Sequence, residues 1–84
     1  SLYEERTTEP QQTEEAPLIP PPEEQLKVLI EAATFGMMSQ IHKQMDEIEQ
    51  LDANYAPFAN KVRQLARGFE DEQIVALAEE LLNG

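Results

Sequence analysis

His42 is the single histidine of the 84-residue chain and the first residue whose chemistry needs testing. A histidine on a helical module can accept a phosphoryl group. Helices that do so place an acid directly after the histidine, or a lysine and a glycine shortly after it. The sequence here is Ile41-His-Lys-Gln-Met45, which fits neither pattern. His42 lies one helical turn from Asp46, so the spacing favours a half-exposed histidine paired loosely with that carboxylate.

Two acidic groups, residues 46–49 and 70–72, are the next candidates, as ligands for a metal ion. Neither has the Asp-x-Asp-x-Asp-Gly spacing with a terminal glutamate that a calcium loop uses. No pair of carboxylates stands in an apolar setting that would make one of them a general acid. The chain has no cysteine, no glycine-rich phosphate loop and no serine nucleophile motif. The sequence therefore predicts no catalytic residue, no metal site, no cofactor and no enzymatic activity in this fragment.

Lys61, Arg63 and Arg67 are three of the six basic residues, and they lie in residues 53–69, a stretch without acids. The net charge of −11 argues against nucleic acid as a partner, because phosphates need cations to neutralise them. The same charge opposes anionic membrane surfaces, and no apolar run approaches the roughly 20 residues that span a bilayer. We expect the basic side to pair with acids on neighbouring helices or with an acidic partner.

Apolar residues recur at steps of three and four along the rest of the chain, which is the period of amphipathic helices. The pattern predicts four short helices, at about residues 22–35, 37–51, 55–67 and 71–82. Pro22 suits the first position of the first helix, and Gly36 suits its end. Asn54 is expected to cap the third helix, which has Pro57 in its first turn. The predicted fold is all-α, a small bundle of four helices arranged as two packed hairpins within residues 20–84.

Residues 1–19 have the composition of a linker, dominated by glutamate, threonine, glutamine and proline. Such a segment cannot bury enough apolar surface to offset the entropy lost on ordering, so we expect a disordered acidic linker. Prolines at its end predict a stiff, extended spacer leading into the first helix. The chain begins with serine rather than methionine, which suggests a domain excised from a longer protein.

The stretch from Tyr55 to Phe69 is the strongest candidate for the centre of the core. At 100° per residue, its large apolar side chains fall on one narrow stripe: Tyr55, Phe58, Val62, Leu65 and Phe69. Gly68 follows the third helix and is expected to take the left-handed conformation that commonly ends a helix. The sequence thus predicts that this stripe supports the helices on both sides of it.

The first helix is apolar over more than half of its circumference. One face, around Leu29, suits the core. Val28, Ala32 and Phe35 form a second apolar face on another side of the helix. A helix of this kind is either central in its domain or offers one side to a partner. We therefore expect an interaction surface on the second face, or on the basic side of the third helix.

Two runs of residues also resemble a known group of proteins. The first is Pro20-Pro-Pro-Glu-Glu-Gln-Leu26, followed by Leu29, Ala33 and Gly36. The second is more specific: Ile48-Glu-Gln-Leu-Asp52, Tyr55, Pro57-Phe-Ala59, Leu65-Ala-Arg-Gly-Phe69, Ile74 and Leu77. Over about residues 20–82 the chain resembles a helical segment near the C-termini of cyanobacterial two-component signalling proteins. These are large hybrid sensor histidine kinases and response regulators.

The resemblance implies a terminal, non-catalytic module of a cytoplasmic phosphorelay protein. The chain has no histidine box, no ATP-binding glycines and no phosphoacceptor aspartate with its partner lysine, so no catalytic residue is implied. We expect an interaction or self-association module whose partner is another domain of the parent protein or a second copy, giving a homodimer. Two alternatives stay open: a phosphotransfer module that uses His42, and a purely structural C-terminal cap.

Overall fold

The computed structural model of the chain describes residues 18–84, which form helices joined by short turns. The helices are α1 (Glu23–Thr34), α2 (Met38–Leu51), a short 3-10 helix (Ala53–Tyr55), α3 (Ala56–Arg67) and α4 (Asp71–Asn83). This part of the chain contains no strand, so the predicted all-α fold of four helices is confirmed. Each α-helix begins and ends within one residue of its predicted boundary.

The predicted linker, residues 1–19, lies mostly outside the described residues. Of its two described residues, Ile19 is exposed, whereas Leu18 is half-buried and packs against the core. The packed domain therefore includes a residue that the prediction assigned to the linker.

The start and the end of α1 follow from residues at its two boundaries. The carbonyl of Pro22 accepts hydrogen bonds from the backbone N–H groups of Gln25 and Leu26, so Pro22 is the residue that precedes the helix rather than its first residue. Gly36 has a φ of 68°, the left-handed conformation that glycine adopts without a steric penalty. The N–H of Met37 then donates to the Ala32 carbonyl at 2.9 Å, which closes the helix end. The predicted role of Gly36 is confirmed.

The end of α3 differs from the prediction. Gly68 has a φ of −91°, and the left-handed residue is Phe69, with a φ of 55°. The N–H groups of Phe69 and Glu70 donate to carbonyls of the last turn at 3.0 and 2.9 Å, so the helix is closed in the ordinary way. The prediction that Gly68 is left-handed is wrong by one position: the helix ends at Arg67, as predicted, but Gly68 is its near-helical C-cap and the left-handed residue is the next one, Phe69.

The connection between α2 and α3 is organised by Asp52. Its Oδ1 accepts a hydrogen bond from the backbone N–H of Asn54 at 2.9 Å, at the start of the 3-10 helix. Asn54 therefore receives the cap rather than supplying it, and the prediction for that residue is wrong. Pro57 lies in the first turn of α3, as predicted, where its missing N–H leaves no helical bond unmade.

The four helices surround one core. The largest fully buried side chains come from every helix: Phe58, Leu29, Ile41, Met45, Ile48, Ile74 and Val62. Helix α1 packs most closely against α4, and α2 against α3, while the pairs α1–α2 and α3–α4 complete the bundle. Of the predicted aromatic stripe, Phe58 is buried and Tyr55 is half-buried, but Phe69 is exposed. Phe69 leaves the stripe because the chain has already turned away from the helix at its left-handed φ.

Two turns lie at the same end of the bundle. The turn between α1 and α2 (residues 35–37) and the turn between α3 and α4 (residues 68–70) each join a helix that runs towards this end to one that runs away from it. The last residues of α1 and the first residues of α4 line one groove, which places both turns beside each other. We call this end of the bundle the turn end.

Candidate interaction surface

Exposed apolar side chains gather at the turn end. Six large apolar side chains are exposed in residues 18–84: Ile19, Val28, Phe35, Met37, Leu51 and Phe69. Three of the six, Phe35, Met37 and Phe69, belong to the two turns. Phe69 and Phe35 are also the most exposed of the set, at 74% and 72%. The two aromatic rings with the largest surface to lose to a partner therefore lie at one end of the bundle.

A shallow groove of about 310 Å³ separates α1 from α4 at this end. Its lining consists of Ala33, Thr34, Asp71, Glu72 and Val75. The lining is apolar towards the core, where Ala33 is fully buried, and acidic at the first turn of α4. Phe35 follows Thr34 directly and Phe69 precedes Asp71 by two residues, so each exposed phenylalanine lies within two residues of the groove lining.

Phe69 occupies a conformation that costs free energy. A left-handed φ disfavours a residue with a side chain by roughly 1–2 kcal/mol, and it is least common for bulky residues. The ring of Phe69 is 74% exposed, so packing within the domain returns little of that cost. Residues held in such conformations cluster at functional sites. Phe69 is therefore the most informative residue of the surface, and the sequence pattern had placed it in the core.

Replacing Phe69 by asparagine should stabilise the domain by about 1 kcal/mol, because asparagine tolerates the left-handed conformation better than phenylalanine does. Urea denaturation followed by circular dichroism measures the change. The matched control is Phe35→Asn, since Phe35 is equally exposed but has an ordinary φ of −94° and should gain nothing. A loss of stability in Phe69→Asn would show that the ring packs usefully after all.

The predicted second face of α1 is present only in part. Val28 and Phe35 are exposed, as an interaction surface requires, and seven residues place them on the same side of the helix. Ala32 is buried, with 4% of its surface accessible, so its assignment to the surface is wrong. It lies about 40° from Val28 around the helix, on the side where the buried Leu29 also lies, and that rotation carries it into the contact with the rest of the bundle.

The three basic residues of α3 do not form one patch. Arg63 is only 16% exposed in its side chain, and its guanidinium donates to carboxylates of α2: Nη1 to Glu49 at 2.9 Å and Nη2 to Asp46 at 2.6 Å. Lys61 lies about 160° around α3 from Arg63, so the two cannot act on one surface. Lys61 and Arg67 are exposed. Arg63 is a structural clamp between α2 and α3, and its predicted place in an interaction surface is wrong.

The clamp shifts the pKa values of Glu49 and Arg63. The hydrogen bond from Arg63, together with the attraction of its charge, lowers the pKa of the Glu49 carboxyl below its usual 4.5. The pKa of Arg63 is raised, first by the hydrogen bond to Glu49 and then by the bond to Asp46. Both side chains therefore stay charged at neutral pH, and the pairing of α3 with acids of a neighbouring helix is confirmed for Arg63.

His42 does not form the pair that its spacing suggested. The Asp46 carboxylate accepts from Arg63, and in the described part of the chain no hydrogen bond or ion pair joins His42 to Asp46. His42 is half-buried on α2.

Gln44 is a buried polar residue that the sequence did not reveal, because it reads as one more polar position of α2. Only 4% of its surface is accessible. Its Nε2 donates to the Gln25 carbonyl at 2.8 Å and to the Gln25 Oε1 at 3.0 Å, while its own Oε1 is buried without a partner. The two bonds join α1 to α2 in the interior of the bundle.

In residues 18–84, no group of three or more acidic or histidine side chains is arranged to hold a metal ion. None of the helices there combines the length and the apolar composition that crossing a bilayer demands. Comparisons of the chain with protein-family models, with curated proteins and with solved structures found no match.

Proposed function

We propose that this domain is a non-catalytic interaction module of a larger two-component signalling protein, acting in the cytoplasm on another protein domain or on a second copy of itself. The observation that carries the proposal is the exposure of Phe35, Met37 and Phe69 together at the turn end, beside an open groove. Apolar side chains grouped on a surface favour association, because a partner removes them from water.

Burial of this surface by a partner would contribute several kcal/mol of binding free energy, on the order of 1.5–3 kcal/mol for each phenylalanine. Moving one phenylalanine side chain from water into a fully buried position is worth about 1.5–3 kcal/mol. Phe35 and Phe69 are both more than two-thirds exposed, so a partner can recover most of that amount from each. Aromatic side chains and methionine are also enriched at the centres of protein interfaces. A partner that covers the turn end would therefore bury two aromatic side chains, Phe35 and Phe69, and contact the flexible side chain of Met37.

The surface extends along α1 through Val28. Val28 and Phe35 lie on one side of the helix, about 10 Å apart along its axis. Val28 is 48% exposed, and the intervening position on that side, Glu31, is exposed as well. A partner helix that follows α1 from the turn end can contact all of these residues.

The signalling context of the proposal comes from the sequence alone. It rests on the resemblance of residues 20–82 to helical segments of two-component proteins, which is more specific in the second half of the chain, at Ile48–Asp52, Tyr55, Pro57–Ala59 and Leu65–Phe69. In such proteins phosphoryl chemistry belongs to kinase and receiver domains, whose signatures this chain lacks. The role left for this module is to bring other domains together.

The experiment is an NMR titration of the isotope-labelled chain. The remainder of the parent protein, produced separately, is added to it, and the chain alone is diluted in parallel. We expect the signals of Val28, Phe35 and Phe69 to shift in one of the two series. The double variant Val28→Ser, Phe35→Ser should lose that shift while its helical circular dichroism persists, because both side chains are exposed.

The matched control is Leu51→Ser, which removes an apolar side chain of intermediate exposure, 58% against 48% for Val28 and 72% for Phe35, at the opposite end of the bundle. It should leave the binding unchanged. Signals that stay fixed in both series would favour the structural cap over the interaction module. A double variant that associates as well as the unchanged chain would show that this surface is not the one used.

A further inference from the structure

The charges around the turn end identify the kind of partner that fits it. The helix turns and loops nearest this end carry four acids and one base: Glu31, Glu70, Asp71, Glu72 and Arg67. All but Asp71, which is half-buried, are exposed. The apolar side chains of the turn end therefore lie within a rim of net negative charge.

This rim disfavours a second copy of the chain at the same site. Two copies that meet through their turn ends would bring the same acids against each other, and each chain already carries a net charge of −11. Like charges placed face to face at an interface weaken binding and slow the encounter. A partner with positive charge gains from the same rim instead.

We infer that the turn end binds a basic amphipathic segment of another protein, one whose apolar residues cover Phe35, Met37 and Phe69 and whose lysines or arginines meet the carboxylates of the rim. The inference rests on the proposed function and specifies its partner class. The apolar side chains supply most of the affinity, and the charges select the partner and speed its association.

The groove between α1 and α4 suits one basic side chain of such a segment. Its apolar lining residues, Ala33 and Val75, can accommodate the methylene stem of a lysine or an arginine. Its acidic lining residues, Asp71 and Glu72, supply carboxylates that can pair with the charged head group. The volume of about 310 Å³ is sufficient for a side chain of this size.

The probes are two synthetic helical peptides with the same apolar pattern, one of leucine and lysine and one of leucine and glutamate. Calorimetry gives their affinities for the whole chain, and NMR maps the contact. The leucine–lysine peptide should bind and shift the signals of Phe35, Phe69 and Asp71, and the leucine–glutamate peptide should not. Phe35→Ser combined with Phe69→Ser should weaken binding at least about tenfold. Leu51→Ser should leave it unchanged.

Two double variants distinguish recognition of the acidic residues around the turn end from a general electrostatic attraction between a basic peptide and an acidic protein. Asp71→Asn with Glu72→Gln removes two charges at the groove, and Glu79→Gln with Glu80→Gln removes two from the far end of the same helix. The first pair should weaken binding several-fold more than the second. Equal effects, or equal binding of the two peptides, would overturn the inference. Self-association through the turn end would also overturn it, while leaving the proposed interaction module standing.

Discussion

Phe58→Ala is expected to cost about 3–5 kcal/mol of unfolding free energy, the usual loss for a buried phenylalanine that leaves a cavity. Phe58 is the largest fully buried side chain in the described part of the chain. A domain of this size has a total stability of only about 3–10 kcal/mol. The variant should therefore be largely unfolded at room temperature, or show a greatly lowered midpoint in urea.

Phe35→Ala is the matched control for that experiment, because it makes the same chemical change at a side chain that is 72% exposed. It should alter stability by no more than about 0.5 kcal/mol. Circular dichroism with urea titration measures both variants. Similar losses from the two substitutions would mean that Phe58 is not the central residue of the core.

The positions of the helices were predictable because they depend on local pattern. Steps of three and four between apolar residues place the helices, and Gly36 marks the end of α1 by a property of its own backbone. Phe58 and Val62 are buried as their spacing predicts. Helical periodicity was thus a sufficient guide to the fold class and to the centre of the core.

The candidate surface was harder to predict because it depends on how helices end and how they pack. Placing Phe69 on the apolar stripe required the helical geometry to continue to residue 69, whereas α3 ends at Arg67. The left-handed φ of Phe69 turns the chain there, and its side chain lies on the surface instead of in the core. Ala32 was misassigned because an apolar face gives no measure of how far a neighbouring helix covers it. Arg63 was placed in the candidate interaction surface because its ion pairs cannot be read from the local sequence. The two carboxylates that pair with it lie on another helix, 14 and 17 residues away.

Arg63→Met is expected to destabilise the domain by about 1–2 kcal/mol at neutral pH. Methionine keeps much of the apolar stem but removes the guanidinium that joins α3 to two carboxylates of α2. Isolated surface ion pairs contribute less than about 1 kcal/mol, but one arginine shared by two acids and largely covered contributes more. Urea denaturation of both proteins measures the difference, with Arg67→Met as the control, because Arg67 is an exposed arginine of the same helix.

The difference in unfolding free energy between the unchanged protein and Arg63→Met should also depend on pH, and it should decrease in acid. The pKa of Glu49 is lower in the folded domain than its usual 4.5, so the folded state binds fewer protons than the unfolded chain in the interval between the two values. The contribution of the clamp is therefore fully present above about pH 4.5 and is lost as the pH falls through the lowered pKa.

Absolute stability is a poor measure here, because protonation also relieves the repulsion within a chain of charge −11. The gap between the unchanged protein and Arg63→Met is the useful quantity, and it should narrow in acid. A gap that stays constant to the acid end of the titration would show that Arg63 stabilises the bundle through the packing of its stem and not through Glu49.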